Sequence, residues 1–130
     1  MKLRILFVVA NYYENISNKM FKSAISNISS SKFIIKRIDV PGIFEIPVVI
    51  SKNINRFDAF VALGCVIKGK TPHFDFISQA TINGIMNLSI KSKKPIGNGI
   101  ITCLNKEQAL KRICKGKEAV KAALVILKKN

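Results

Sequence analysis

Four short apolar runs, each followed by a stretch with helical spacing, constrain this 130-residue chain more than any other feature. Residues 3–9 are almost continuously apolar, as in a strand covered on both faces. After a polar turn over 11–15, Ile16, Met20, Phe21, Ala24, Ile25 and Ile28 recur at helical spacing. Ser29, Ser30 and Ser31 separate that helix from a second strand over 33–40, which ends in the turn pair Pro41-Gly42. Residues 43–54 are apolar nearly all round and read as a buried helix, with Pro47 in its first turn. The third strand spans 59–66. Beyond it, Ile77, Ala80, Thr81, Gly84, Ile85 and Leu88 mark one helix face, whose small residues Ala80 and Gly84 would admit a close partner helix. Lys93-Lys94-Pro95 closes that region, and the fourth strand runs over 96–102. Asn105 with Gln108 resembles a capping box for a short helix ending at Arg112. A last helix over 116–128 turns Ala119, Val120, Ala123, Leu124 and Leu127 inward.

Such an alternation implies a central four-stranded parallel sheet with helices on both faces. Ligands of these sheets bind beyond the carboxyl ends of the strands. At this length one domain, 1–130, is expected. Hydrophobic residues make up 48% and mean hydropathy is +0.24, so some apolar surface should be buried against further copies of the chain. No apolar run approaches the ~20 residues of a membrane span. The apolar start reads as a strand rather than a secretory signal, because Asn11-Tyr12-Tyr13-Glu14 is a poor cleavage region. Cys65, Cys103 and Cys114 are odd in number, without metal or disulfide spacing, and point to a cytoplasmic protein with reduced thiols.

The charge balance, 22 basic against 7 acidic residues, gives +15. Nucleic-acid binding is one reading of such a charge. The lysines are scattered, however, and no aromatic residues are interleaved with them as a stacking platform needs. A solvated basic surface that draws in anionic substrates fits better.

Most of the reactive side chains stand in one stretch, residues 63–75, L-G-C-V-I-K-G-K-T-P-H-F-D. His73 is the only histidine, the one residue type that ordinarily titrates near neutrality. It sits beside Lys68, Lys70 and Thr71 at an expected helix start, where backbone N–H groups favour an anion. Gly64, Gly69, Lys70 and Thr71 also match the nucleotide-binding P-loop pattern. Against that reading, Cys65, Val66 and Ile67 are bulky, and Pro72 removes a donor N–H near the would-be phosphate. No apolar strand ending in Asp follows to help hold magnesium.

Five motifs occur in a fixed order: V-P-G-I-F-E-I-P at 40–47, A-L-G-C-V-I-K-G-K-T-P-H-F-D at 62–75, G-N-G-I-I-T at 97–102, E-Q-A-L-K-R at 107–112 and K-G-K-E-A at 115–119. Together they resemble the lumazine synthases. The resemblance implies a flavodoxin-like three-layer α/β/α sandwich and the penultimate reaction of riboflavin biosynthesis. That reaction joins 5-amino-6-(D-ribitylamino)uracil to 3,4-dihydroxy-2-butanone 4-phosphate and releases phosphate and water. It uses no cofactor and no metal. The resemblance also implies a homo-oligomer, a pentamer or a multiple of pentamers, with sites at subunit interfaces.

Carried onto this chain, the resemblance makes His73 the proton-transfer residue. It places Tyr12 against the pyrimidine ring, and gives Val66 and Ile67 backbone hydrogen bonds to that ring. Ile43, Phe44 and Glu45 would hold the ribityl chain. Lys70, Thr71 and Arg112 would bind phosphate, with Arg112 reaching across the interface, and Lys115 and Lys68 would lie near the same pocket. Asn98 stands where many members place a phenylalanine over the ring. Asn11-Tyr12-Tyr13 replaces the usual Arg-Phe-Asn. The link between Arg112 and Lys115 is shorter than usual and the common N-terminal extension is missing, both expected to bear on assembly.

Overall fold

In the computed structural model, which describes residues 2–129, four strands form one parallel sheet in the order β2-β1-β3-β4. β1 (Leu3–Ala10), β2 (Phe33–Val40), β3 (Ala59–Ile67) and β4 (Ile96–Cys103) match the four apolar runs to within a residue at either end. β1 pairs with β2 from Leu3↔Phe33 to Ala10↔Val40, and with β3 from Ile5↔Ala59 to Val9↔Leu63. β3 pairs with β4 from Phe60↔Ile96 to Ile67↔Cys103.

Because successive side chains on a strand point to opposite faces, each central strand feeds two cores. Ile5, Phe7 and Val9 of β1 join Val61 and Leu63 of β3 under α1 (Glu14–Ile25) and α5 (Lys115–Leu127), with the short α4 (Lys106–Lys111) on the same side. Leu6, Val8 and Ala10 join Phe60 and Ala62 under α2 (Ile46–Lys52) and α3 (His73–Ser92). The result is the three-layer, flavodoxin-like arrangement expected from the alternation. Two central strands buried on both faces account for its near-continuous apolar runs.

The segment over 43–54 departs from the expected buried helix. It begins as a 3-10 turn, Ile43–Glu45, and only then becomes α2, which places Pro47 in the helix's first turn. Ile43, Ile46 and Ile50 face the sheet, whereas Phe44 and Val48 are 57% and 53% exposed. A composition apolar nearly all round concealed a face that this chain does not bury. Ala80 likewise points outward, and the neighbour that Gly84 admits is Pro47 of α2, where a Cβ would meet ring carbons at 3.3 Å.

α3 stops where the basic run begins. Lys93 adopts a left-handed φ of 61° and donates its N–H to the Ser89 carbonyl at 2.9 Å, a helix-terminating geometry. Asn105 caps α4 by accepting from the Gln108 N–H at 2.9 Å, while the Gln108 side chain reaches back to the N–H of Leu104 rather than Asn105. Gly97 permits α5 to lie on β4, since a Cβ there would collide with the Ala119 carbonyl. Among the described residues, no helix is long and apolar enough to cross a membrane.

Candidate active site at the ends of β1 and β3

The chain leaves β1 toward β2 and leaves β3 toward β4, in opposite directions, so the strand order reverses between β1 and β3. A crevice opens at such a reversal, outside the carboxyl ends of the two strands. A hollow of about 280 Å³ lies there, lined by Ala10, Tyr12, Tyr13, Gly42, Ile43, Cys65, Val66, Ile67, His73 and Ile77.

Its walls follow from local contacts. Ser17 donates its hydroxyl to the Ala10 carbonyl, joining the end of β1 to the start of α1 and so fixing the Tyr12-Tyr13 turn between them. The 42–45 turn is closed by Glu45, whose Oε1 accepts from the Gly42 N–H at 2.9 Å. That turn sits directly over β3. A Cβ on Gly64 would stand 2.8 Å from Ile43 Cγ2, so only glycine lets Ile43 reach the mouth of the crevice. On the far side, the Lys68 N–H donates to the Cys103 carbonyl at 2.8 Å, extending the β3–β4 ladder before the chain turns away. Lys70 and Thr71 then lead to Pro72, the residue before α3, and the Thr71 Oγ1 accepts from the His73 N–H at 3.4 Å. His73, the first residue of α3, keeps an exposed imidazole at the crevice.

This geometry disposes of the P-loop. Gly64, Cys65, Val66 and Ile67 lie in the extended strand β3, paired with β4, so their backbone does not curl around a phosphate. α3 also begins three residues beyond Lys70, where a P-loop helix would begin at that lysine.

Other expected site residues lie elsewhere. Asn98, Arg112 and Lys115 line a separate hollow of about 500 Å³ along the outer edge of β4, together with Thr102, Lys111 and Glu118. Arg112 donates from Nη1 to the Thr102 carbonyl at 3.0 Å, and Asn98 Oδ1 accepts from the Ile100 N–H at 3.0 Å. Among the described residues neither Arg112 nor Lys115 forms an ion pair, so both charges remain available to an anion. Phe44 and Glu45 line a third groove, with Pro47, Val48, Ala80, Thr81 and Gly84. No residue is common to the three linings. Within one chain, His73 and Arg112 therefore line different hollows.

Residues 2–130 match the sequence profile of the 6,7-dimethyl-8-ribityllumazine synthase family. The chain belongs to this family. Its relatives carry the same description. The 6,7-dimethyl-8-ribityllumazine synthase of Bartonella tribocorum is 39% identical, over 97% of this chain and 89% of its own length. That of Corynebacterium kroppenstedtii is 37% identical over 94% and 81%, respectively. The 6,7-dimethyl-8-ribityllumazine synthase 1 of Rhodopseudomonas palustris is 35% identical over 96% and 84%.

Against that lumazine synthase frame, Tyr13 and Cys65 are lining residues that sequence reasoning passed over. The raised pKa of the Tyr13 phenol comes first from burial, then from Tyr12 and Cys65 beside it. Cys65 is pushed up to about 12, chiefly by burial and then by the charge of Cys103 and a hydrogen bond with it. Only the thiolate is nucleophilic, so Cys65 is an inert wall of the crevice. Tyr13 was open to detection from its place beside Tyr12 at a strand end; Cys65 resembled one more apolar residue of a buried strand.

Proposed function

We propose that the crevice around His73 is the reaction site of a lumazine synthase, completed by Arg112 and Lys115 of a second copy of the chain. The reaction is that of the family. 5-Amino-6-(D-ribitylamino)uracil condenses with 3,4-dihydroxy-2-butanone 4-phosphate to give 6,7-dimethyl-8-ribityllumazine, phosphate and water.

The observation that carries this reading is the separation just described. One hollow holds an imidazole, two tyrosine rings and the backbone of a strand end, and the other, which Glu118 also lines, holds Arg112 and Lys115, neither of them in an ion pair among the described residues. Each is half of what two substrates, one of them phosphorylated, require. The apolar groups left open, Phe44 and Val48 among them, are the kind of surface that copies of a chain cover for one another.

Each part then has a task. The pyrimidine lies against Tyr12 and takes hydrogen bonds from the Val66 and Ile67 backbone. The ribityl chain runs along Ile43, Phe44 and Glu45. Glu45 Oε1 is engaged by Gly42, which leaves Oε2 for a ribityl hydroxyl. The phosphate sits against the Lys70 N–H and the Thr71 hydroxyl and meets the partner's Arg112 guanidinium, a bidentate fork suited to it. Lys68 and Lys115 add positive potential. Asn98 uses its oxygen on Ile100, and so offers its amide N–H to the ring from the neighbouring subunit. His73 moves protons as the uracil amine condenses with the ketone, phosphate leaves and the ring closes. Positioned acid–base groups of this kind contribute about 10²–10⁴-fold, and holding two substrates in register supplies much of the rest.

The same reading takes 1–130 as one lumazine synthase domain, assembled as a pentamer or a multiple of pentamers in the cytoplasm. Mixing the purified chain with both substrates should generate the absorbance and fluorescence of the lumazine. Sedimentation should report a mass that is a multiple of five chains. A chain that stays single, or yields no lumazine, overturns the proposal.

A further inference from the structure

The described aromatic side chains make three close pairs, and only one of them lies at the crevice. Tyr12 and Tyr13 meet with ring centroids 4.9 Å apart and planes at 81°, an edge-to-face arrangement. The two partners are not equivalent. Tyr12 is 76% exposed, and among the described residues Tyr13 is its one aromatic neighbour. Tyr13 is half-buried against the core beneath α1 and immediately precedes that helix, where its carbonyl accepts the Ser17 N–H at 3.0 Å. One ring is anchored by core and helix; the other is largely exposed and meets it edge to face.

We propose that Tyr13 is a positioning residue, whose ring holds Tyr12 in one orientation at the crevice so that the pyrimidine substrate meets a fixed aromatic face. The inference rests on the lumazine synthase reading above and deepens it. An unsupported exposed tyrosine divides its time among rotamers, and that freedom must be lost when the ring stacks on a ligand. An edge-to-face pair favours the held rotamer by about 2- to 12-fold. The benefit falls on the uracil alone, because the phosphorylated ketone does not use Tyr12.

Tyr13→Leu removes the ring while keeping an apolar side chain against the core; Tyr13→Phe keeps the ring and removes only the hydroxyl. Tyr13→Leu should raise the KM for the uracil about 2- to 12-fold, with kcat and the KM for the ketone phosphate nearly unchanged. Tyr13→Phe should restore the uracil KM. The chain has no tryptophan and only these two tyrosines. Quenching of its tyrosine emission by the uracil therefore reports binding without turnover and should weaken by the same factor. Added to Tyr12→Ala, Tyr13→Leu should cost nothing more, since Tyr13 acts through Tyr12.

An unmoved uracil KM in Tyr13→Leu overturns the inference. So does an equal loss in Tyr13→Phe, which would assign the effect to the hydroxyl, or an additive double variant. If the ketone KM rises in step with the uracil KM, the loss is general disruption of the fold and the inference again fails. A wild-type chain that makes no lumazine removes the underlying reading, an outcome distinct from all of these.

Discussion

Gly64 and Ile43 meet where the strand order reverses, with room for a hydrogen on Gly64 and for nothing larger. A Cβ there would lie 2.8 Å from Ile43 Cγ2 and 3.0 Å from Ala10 Cβ, and both neighbours are buried. Overpacking of this kind typically costs ~1–3 kcal/mol. Gly64→Ala should accordingly lower the melting temperature by several degrees in a thermal unfolding scan. It should also raise the KM for the uracil by displacing the 42–45 turn. An unchanged melting temperature would mean that the turn gives way freely and is not set by this contact.

His73 begins α3 with its imidazole exposed at the crevice, where the proposed reaction assigns it the proton transfers. His73→Ala should reduce kcat by about 10²–10⁴-fold and leave both KM values close to wild type, as steady-state kinetics would measure. Undiminished turnover would take the imidazole out of the chemistry.

Arg112 is held toward the edge of β4 by its hydrogen bond to Thr102 and has no carboxylate partner among the described residues. Arg112→Ala should raise the KM for the ketone phosphate more than that for the uracil. Arg112→Lys should recover only part of the loss, because a point charge replaces a planar fork. Equal effects on the two substrates would exclude a phosphate-binding role.

Cys65 makes the fold sensitive to alkali. Its thiol rises from an ordinary 9.0 to about 12 in the fold, so the native state holds this proton more tightly than the unfolded chain does. By linkage, the stability involved is fully present below about pH 9 and is lost as pH climbs through the interval up to about 12. Thermal scans across that interval should show a declining melting temperature, with a shallower decline in Cys65→Ala. At neutral pH, iodoacetamide should modify the exposed Cys114 well before Cys65 or Cys103, which are buried.

The architecture was largely legible in the linear order of residues, because two strands covered on both faces leave long apolar runs and amphipathic helices leave a spaced stripe. β2 was readable to the residue between Ser31 and Pro41, where punctuation is strong on both sides. Residues 43–54 were not, since a segment apolar nearly all round cannot distinguish a face turned to the sheet from one left open, as at Phe44 and Val48. The candidate site was legible where motifs carried it, at His73, Tyr12 and the 42–45 turn. What stayed hidden depends on packing between distant segments, as in the clearance at Gly64 and the part of Tyr13 in the crevice wall. The resemblance, which has Arg112 reach across the interface, agrees with its placement in a hollow apart from His73.

That last placement has a genetic consequence. If each working site draws His73 from one subunit and Arg112 from the next, a lesion in either residue spoils only its own half. Two disabled alleles, His73→Ala and Arg112→Ala, expressed together would form mosaic rings in which some junctions pair an intact imidazole with an intact guanidinium. At low ketone phosphate the mixture would then outperform either parent alone, whereas a site confined to single chains would leave it no better than its parents.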